Sequence, residues 1–493
     1  MKRFFRLLIC FAFILSTVAL YACGGNKGNG GGNTDDSDVV LEDVTYDEDG
    51  YPVFPSKITL NVWSVIGDPD NAYLDLVNKQ FNDTFKANNV EANITSIETN
   101  LFYTQFANTL NTDPDNAPDV VIFHSERLTN LADNKMIIPI ESALKSIKQP
   151  LDTNNYLSNI LSECYANGSL YAIPLDVHSG FWYVRDDILE KNGLSRPTTF
   201  AEIESVCQAL MDKKAAGTLW VRSMDRNDAS LREWRQVGPE SDFYPLEMSG
   251  ENDNMECGWI PQTAVLQNGG KLCDSKGYPA WNTNQGLETV LNTINGWKGK
   301  YIGANRDYNT LWANLGNGNA VFGFEGSWWA ESRLNEYDSV LGEGSLGVMG
   351  LSKLFALNPT SADADKVYGV GHCFALSRSV TNAKVKAAGA FYSKYMTENS
   401  IKYMKGGHLP ACLSVINNPE YTSSTEYNRY LKYMGNPANF QMLGNTKYFK
   451  PVYEQLKMTY MYTLSKNKTG EVKDFIAEAY QKAMATIRAE EDL

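Results

Sequence analysis

Residues 118–123 read PDVVIF, an apolar run that predicts a strand buried on both faces of a sheet. Two further strands are predicted upstream of it. Residues 58–63, ITLNVW, alternate apolar and polar side chains, which is typical of a strand. Residues 91–96 predict a second short strand between these two. The stretch from the first to the third strand therefore decides the class of the fold.

Two amphipathic helices are predicted between these strands, because apolar residues recur there at helical spacing. Asp68 and Pro69 are predicted to be the N-cap and the first residue of the first helix. The alternation of strand and helix predicts right-handed βαβ units and a parallel sheet, hence an α/β fold. The apolar positions are Tyr73, Val77, Phe81 and Phe85 in the first helix and Phe102, Phe106 and Leu110 in the second.

The rest of the chain continues the mixture of strands and helices. Thr199 and Glu202 have the spacing of a capping box at the start of a helix. Residues 224–254 are polar and without periodicity, and they predict an irregular insertion of unknown role. Further strands are predicted at 170–175, 320–324 and 369–376, and further helices at 186–193, 284–298, around 385–395 and in two segments near the C-terminus.

The first residues predict export. Three basic side chains precede an apolar run at 7–20, as in a secretory signal peptide over residues 1–22. Because a cysteine follows the cleavage position, the segment resembles a bacterial lipobox, which implies that Cys23 is lipidated and anchors the chain to the cell membrane. A plain signal peptide and an uncleaved membrane helix are alternatives. Residues 24–38 are rich in Gly and Asn, and residues 23–55 are predicted to form a flexible tether.

Composition excludes several classes of function. The 493 residues carry a formal charge of −14, which disfavours nucleic acids and electrostatic docking to membranes. The length suggests two domains or lobes. No second apolar stretch reaches the length of a membrane span. Aromatic residues make up 12% of the chain, which suits both protein cores and a carbohydrate groove.

Cysteine and histidine spacing predicts no metal site and no cofactor. The six cysteines after Cys23 contain no Cys-x-x-Cys pair, so zinc and redox motifs are absent. A disulfide between Cys257 and Cys273, the closest pair in sequence, is left open. The four histidines are isolated from one another in sequence, which excludes a helical His-x-x-x-His site.

The order of segments resembles the extracellular solute-binding proteins of bacterial ABC importers, the family that includes maltose-binding protein. The segments that carry the resemblance are 58–68, 117–139, 171–188 and 322–328, with 369–376 later. The resemblance implies a two-lobed periplasmic-binding-protein-like fold with a ligand cleft between the lobes. It implies hinge crossovers near 175–179, 366–369 and 408–415. The implied N-terminal lobe comprises 56–175 and 370–412, and the implied C-terminal lobe comprises 176–369 and 413–493.

The candidate ligand contacts lie after strands or near these crossovers, where ligands sit in open parallel sheets. The resemblance implies Asp68, Phe123, Glu126, Arg127, Asp176, Trp259 and Trp328. Position and residue type add Trp63, His178, Ser179, Glu325, His372 and His408. Structural roles are the alternative for each: helix capping for Asp176, core packing for the tryptophans, and a surface ion pair for Glu126 with Arg127.

The function implied is that of a lipid-anchored, monomeric substrate-binding component that delivers a carbohydrate to an ABC permease without catalysis, at the cell surface or in the periplasm. Carboxylates accept hydrogen bonds from sugar hydroxyls, and basic residues for an anionic ligand are few. We expect a neutral oligosaccharide, with a polyamine as a minor alternative. One other class is a glycoside hydrolase with Asp176 and Glu325 as its carboxylate pair, although no eightfold βα repeat is evident. Another is a surface receptor or adhesin that reuses the fold.

Overall fold

The computed structural model describes residues 41–225, 227–250, 255–304, 306, 308–443 and 446–491. The predicted signal peptide, the lipidation site Cys23 and the first part of the predicted tether lie outside the described residues. Among the residues described, no helix is both long enough and apolar enough to span a membrane.

Strands and helices follow each other along the whole described chain. The strands are β1 Thr45–Tyr46, β2 Pro52–Val53, β3 Ile58–Ser64, β4 Val90–Ser96, β5 Val120–His124, β6 Ile137–Ile138, β7 Tyr165–Ala166, β8 Ser169–Leu170, β9 Ala172–Pro174, β10 Asp176–Val177, β11 Gly180–Val184, β12 Leu219–Val221, β13 Arg235–Val237, β14 Leu246–Glu247, β15 Phe322–Gly326, β16 Gly347–Met349, β17 Val367–Tyr368, β18 His372–Ser377, β19 Leu409–Pro410 and β20 Phe440–Gln441. The helices are α1 Asn71–Thr84, α2 Thr99–Thr112, α3 Leu128–Asp133, α4 Glu141–Ser146, α5 Ser158–Leu161, α6 Asp186–Lys191, α7 Phe200–Ala215, α8 Met255–Gln267, α9 Gln285–Trp297, α10 Leu311–Asn317, α11 Ala330–Leu341, α12 Ala383–Glu398, α13 Leu413–Ile416, α14 Pro419–Thr422, α15 Thr425–Arg429, α16 Phe449–Leu464 and α17 Val472–Glu491.

The first sheet is built from the strands that the sequence predicts. Its order is β4-β3-β5-β18-β6, and β9 also pairs with β18. β3 runs parallel to β4 and to β5, which confirms the βαβ units, whereas β18 is antiparallel to β5, β6 and β9. Most of β5 and all of β18 are buried, as expected for strands at the centre of a covered sheet, and α12 packs against β3 and β18.

The second sheet has the order β14-β15-β11-β16. β11 is antiparallel to β15 and β16, and β14 is parallel to β15. All five residues of β11 are buried. Helix α8 packs against α16 and also contacts β15 and β17, so the C-terminal helices belong to this half of the molecule.

Three connections carry the described chain between the two sheets. The first leads from β9 through β10 to β11, the second from β16 through β17 to β18, and the third from α12 through β19 toward the C-terminal helices. β10 pairs with β19, with Asp176 opposite Pro410. An isolated bridge joins His178 to Val370. All three connections are therefore held side by side by backbone hydrogen bonds.

The start of the first helix differs from the sequence prediction. α1 begins at Asn71, and its N-cap position is Asp70 rather than Asp68. Asp68 is exposed and lies in the loop that precedes the helix. Asn71 N donates to Gly67 O across this loop, at 2.9 Å, and the Asp70 carbonyl accepts from Leu74 N within the first turn of the helix, at 3.2 Å. By contrast, the capping box of α7 is present as predicted, with Thr199 accepting from Glu202 N.

The predicted tether is too long. Residues 41–55 include the strand pair β1–β2 and pack on the first half of the protein. Val44 and Phe54 are buried, and the ring of Tyr51 lies 5.0 Å from that of Phe85. These apolar side chains stabilise a folded segment, which the Gly-rich composition of the preceding residues does not reveal.

Parts of the predicted insertion are also ordered. Within 224–254, β13 pairs with β12, and β14 joins the second sheet next to β15. The expectation of a wholly irregular segment is wrong, because Phe243, Leu246 and Met248 form a short apolar stretch that is buried, with Leu246 in the sheet. Residues 226 and 251–254 lie outside the described part of the chain.

No disulfide joins Cys257 to Cys273. Neither of them forms a disulfide, and neither do Cys164, Cys207, Cys373 and Cys412. Cys257 is buried in α8, and Cys273 is half-buried in the loop that follows it. The question that the sequence leaves open is therefore answered by the structure.

Glu256 anchors α8 to α16, because its carboxylate accepts a hydrogen bond of 2.7 Å from the hydroxyl of Tyr460. Burial raises the pKa of Glu256 from 4.5 to about 8. The native state therefore binds more protons than the unfolded state between these values, so the free energy of unfolding contributed by this group falls as the pH rises through the window.

The substitution Glu256→Gln keeps an acceptor oxygen and removes the charge. We expect the variant to be more stable than the wild type above the window, by about 1–3 kcal/mol, and to lose the advantage below it. Urea denaturation on either side of the window measures the difference. Glu233→Gln, the same change at an exposed glutamate, is the control, and equal pH dependence in all three proteins would contradict the expectation.

Candidate functional site

A cavity of about 560 Å³ contains groups from both halves of the protein. One wall consists of loops that follow β3 and β4, at residues 65–68, 70–71 and 96–99. Trp328, which follows β15 of the second sheet, supplies another wall. The floor is formed by imidazole rings: those of His124, His178, His372 and His408.

The topology explains why these loops meet. β3 and β4 are parallel and in register, with Ser64 opposite Ser96, and Ser64 is also opposite Ile122 of β5. The carboxyl ends of these strands therefore lie at one edge of the sheet, and the loops after them form one side of a crevice. His124 is the last residue of β5 and faces the same edge.

Asp176 lies beneath the floor of the cavity and is fully buried. Its carboxylate is surrounded by imidazole nitrogens. The Nδ1 atom of His372 lies 2.9 Å from Oδ2, that of His408 3.2 Å from Oδ2, and that of His178 3.4 Å from Oδ1. The backbone N–H of His372 also donates to Oδ1, at 2.9 Å.

Asp176, His178, His372 and His408 form a buried cluster, and each connection between the sheets contributes to it. Asp176 and His178 belong to the first, His372 to the second and His408 to the third. The close approach depends on Gly371, because a Cβ atom there would lie 2.3 Å from the carbonyl oxygen of Asp176. The cluster thus sits at the predicted hinge, where all the connecting segments lie side by side.

A second carboxylate joins the cluster from the start of α1. Oδ2 of Asp70 lies 3.0 Å from Nε2 of His408, and burial raises the pKa of Asp70 against the opposing effect of that histidine. His408 therefore lies between two carboxylates. Burial alone would lower its pKa, but Asp176 and Asp70 raise it to about 10.

The protonation states of Asp176 and His178 follow from their surroundings. Burial would raise the pKa of Asp176, but His372 and His408, with hydrogen bonds from His178 and His372, hold it well below the ordinary value. Burial lowers the pKa of His178 to about 3. At neutral pH, Asp176 is ionised, His408 is the cation beside it, and His178 is neutral.

All four histidines of the chain meet at this place. The ring of His124 lies 4.9 Å from that of His372, and the rings of His178 and His372 stack at 4.8 Å. Tyr403 stacks on His408 at 4.7 Å, and its hydroxyl lies 3.3 Å from Nδ1 of His372. Burial, followed by repulsion from His372 and His178, lowers the pKa of His124 well below its usual value.

Trp328 is the aromatic residue that faces the cavity. It is half-buried, and its ring meets that of His178 edge to face at 5.4 Å. Trp259 lies behind it at 6.0 Å and is 6% exposed. Trp328 therefore offers a ring face to a bound solute, and Trp259 supports it from α8.

The structure brings together five of the residues selected from the sequence, which line the cavity: Asp68, His178, Trp328, His372 and His408. Asp176 lies under them. Ser179 is buried and donates to Tyr368 O at 3.0 Å, and Glu325 is buried and accepts from Gly326 N at 2.7 Å. Neither lines the cavity.

The remaining candidates lie outside the cavity lining. Trp63 is 9% exposed in β3, and Phe123 is fully buried in β5. Glu126 and Arg127 lie in a single helical turn after β5. The guanidinium of Arg127 covers the rings of Tyr103 and Phe449, at 5.2 and 5.3 Å. Their contact with a ligand stays a prediction.

Several lining residues were not selected from the sequence, namely Asp70, Asn71, Ser96, Glu98, Thr99 and His124. A signal for them did exist. Ser96 ends a predicted strand of the parallel sheet and the others come after one, and the carboxyl ends of such strands form the binding edge. Residue type alone gave no reason to prefer them.

The family model described as bacterial extracellular solute-binding protein matches residues 79–429. No curated protein sequence is similar enough to be matched. The match covers most of the chain and includes the second sheet, the first sheet apart from β3, and the three connections.

Solved structures share the fold at low sequence identity. The cyclic alpha-maltosyl-1,6-maltose binding protein of Arthrobacter globiformis is 17% identical, with a TM-score of 0.65 over 87% of this chain and 99% of that one. UgpB of Mycobacterium tuberculosis, in complex with glycerophosphocholine, is 15% identical, with a TM-score of 0.64 over 88% of this chain and 100% of that one. The maltose-binding protein MalE of Listeria monocytogenes, in complex with maltose, is 16% identical, with a TM-score of 0.61 over 87% of this chain and 98% of that one. The two-lobed α/β fold is therefore confirmed.

The substitution Asp176→Asn tests how far the fold depends on the buried carboxylate. It leaves the His408 cation without one of its two anionic partners, and breaking a buried charge pair costs about 3–5 kcal/mol. Asp68→Asn makes the same change at an exposed position of the cavity rim, and we expect an effect within about 0.5 kcal/mol. Urea denaturation measures both, and equal stabilities would show that the cluster does not stabilise the fold.

Proposed function

Because the chain belongs to the bacterial extracellular solute-binding proteins, we propose that it is the substrate-binding component of an ABC importer. It captures a neutral carbohydrate between its two lobes and releases it unaltered to a permease. The observation that carries the proposal is the cavity between the two sheets, which Trp328 lines from one side and polar loop residues line from the other.

The cavity lining suits hydroxyl groups and a flat apolar surface. Asp68 and Glu98 are exposed carboxylates that accept hydrogen bonds from sugar hydroxyls, and Asn71 both donates and accepts. The ring of Trp328 can stack on the C–H face of a sugar. The volume of about 560 Å³ is within the range of small-molecule sites.

The charge of the lining disfavours an anionic solute. No lysine or arginine is among the described residues that line the cavity, whereas Asp68, Asp70 and Glu98 are. The His408 cation in the floor is already paired with Asp176 and Asp70, so an anion would meet these carboxylates without a free cationic partner. The maltose in the MalE complex of Listeria monocytogenes supports a neutral sugar. A polyamine, which is a cation and would be attracted by the carboxylates, is the alternative ligand to test.

We assign residues 56–175 and 370–412 to the first lobe and residues 176–369 and 413–493 to the second, with residues 41–55 packed on the first. The hinge consists of the short pair β10–β19 and the bridge between His178 and Val370. Few residues have to absorb a rotation there, which is the usual design of a hinge that closes around a ligand.

A hydrolase is the weaker proposal because of where the two carboxylates lie. Asp176 is fully buried and occupied by three imidazoles, and Glu325 is buried and accepts a hydrogen bond from the N–H of Gly326. Neither lines the cavity, so a glycosidic bond bound there would not meet them. Binding without turnover is the function that this arrangement supports.

The substitution Trp328→Ala removes the ring that faces the cavity. We expect affinity for the preferred sugar to fall about tenfold or more, which corresponds to ~1.4 kcal/mol. Thermal denaturation identifies that sugar from a panel of maltose, maltotriose, a cyclic glucan, glycerophosphocholine and spermidine, because a ligand that binds only the native state raises Tm. Calorimetric titration then gives the affinities.

Trp329→Ala is the matched control, because Trp329 is equally half-buried but does not line the cavity. The proposal requires Trp329→Ala to bind like the wild type. Equal loss in both variants, a shift in Tm with spermidine alone, or the release of reducing ends from a bound oligosaccharide would each argue against it.

We propose further that Cys23 carries the lipid that holds the protein at the outer face of the cell membrane as a monomer. Cys23→Ser should release the protein from the membrane fraction of the producing bacterium, as detected by immunoblotting. Cys10→Ser, at the other cysteine of the predicted signal peptide, should leave it in that fraction. Retention of the Cys23→Ser protein would contradict the anchor and leave the binding proposal intact.

A further inference from the structure

The ligand atoms of Asp176, His178, His372 and His408 lie within 4.8 Å of one another, and all four side chains are buried. Imidazole nitrogen and carboxylate oxygen are the ligands that divalent first-row transition metals accept. We infer that this cluster is a binding site for such an ion, with Zn²⁺ as the best fit.

The distances are close to those of a tetrahedral zinc site. Zinc bonds of roughly 2.0–2.2 Å place neighbouring ligand atoms about 3.3 Å apart in a tetrahedron. The carboxylate of Asp176 lies 2.9, 3.2 and 3.4 Å from the Nδ1 atoms of His372, His408 and His178. The first two distances share Oδ2 and are two edges of the required tetrahedron, whereas the third ends on Oδ1. Because all four ligand atoms lie within 4.8 Å of one another, small rotations of the side chains would complete the remaining edges.

His408 is prepared to be a ligand by its second nitrogen. Its Nε2 atom is hydrogen-bonded to Asp70 at 3.0 Å. A hydrogen bond of this kind, from a metal-binding histidine to a carboxylate, fixes the tautomer that leaves the other nitrogen free for the metal. Nδ1 of His408 is buried and has no hydrogen bond of acceptable geometry.

Charge points in the same direction. Asp176 and Asp70 are two buried carboxylates that flank the ring of His408, one at each nitrogen. A dication would displace the proton from Nδ1 of His408 and leave the imidazoles neutral, and its charge would compensate both carboxylates. The cavity provides the path by which the ion would enter, because the rings of the three ligand histidines line it.

The position gives the metal a structural role. Its ligands come from all three connections between the sheets, with His178, His372 and His408 from one connection each. A bound ion would therefore hold the connections together beneath the solute cavity. The inference does not depend on which solute the cavity takes.

The test uses the wild-type full chain, freed of metal with a chelator. Calorimetric titration with Zn²⁺ should show one equivalent bound, and Co²⁺ should give the visible absorption of a four-coordinate ion. X-ray absorption of the zinc-loaded protein should show a shell of nitrogen and oxygen with imidazole scattering. These measurements need no variant, so a folding defect cannot obscure them.

Variants then identify the ligands. Asp70→Asn should weaken Zn²⁺ binding by about 10- to 100-fold, since it removes an outer hydrogen bond, and His178→Gln and His372→Gln should weaken it further. His124→Gln is the matched control, because its ring lies 4.9 Å from that of His372 but supplies no ligand atom. It should bind Zn²⁺ like the wild type.

Each other result overturns the inference. Absence of stoichiometric Zn²⁺ binding, a six-coordinate Co²⁺ spectrum, or wild-type affinity in His178→Gln and His372→Gln would show that the cluster is a hydrogen-bonded network only. Equal weakening in His124→Gln would place the ion elsewhere among the rings. None of these results would affect the binding of a sugar, which is measured in the presence of chelator.

Discussion

The buried carboxylate of Asp176 is the constraint on which the rest of the site depends. An ionised group with no exposure to water costs several kcal/mol unless charged or hydrogen-bonding partners surround it. Here the partners are imidazoles from three segments that are far apart in sequence: Asp176 and His372 are 196 residues apart. Compensating one charge therefore requires all three connections between the lobes to lie together. The same requirement fixes the floor of the cavity, because the rings that satisfy Asp176 also form its surface.

In this arrangement, the residues that hold the connections together differ from the residues that can contact a solute. The charged groups of the floor are directed at one another, so the groups left for a solute are those on the loops after β3 and β4 and the ring of Trp328. They belong to opposite lobes, and neither set alone encloses a ligand. Rotation about the hinge would bring the two sets together while leaving the floor in place. On the proposed function, such a site would gain affinity from closure.

Local patterns predicted most of the secondary structure but little of the cluster. The apolar spacing of α1, the capping box of α7 and the buried β5 follow from neighbouring residues, and they are where the sequence places them. The convergence of the histidines has no local signal, because each of them is isolated in its own segment. Side chains alternate along a strand, so at the end of β5 Phe123 points into the core and the adjacent His124 lines the cavity. The family resemblance favours Phe123, but the direction of the side chains decides for His124.

Closure around an unaltered carbohydrate is the central claim, and small-angle X-ray scattering of the wild-type chain tests it most directly. The radius of gyration should decrease when the preferred oligosaccharide is added at saturation, and the same oligosaccharide should be recovered intact after the protein is denatured. An unchanged radius of gyration at saturation, or recovery of a shortened sugar, would contradict it.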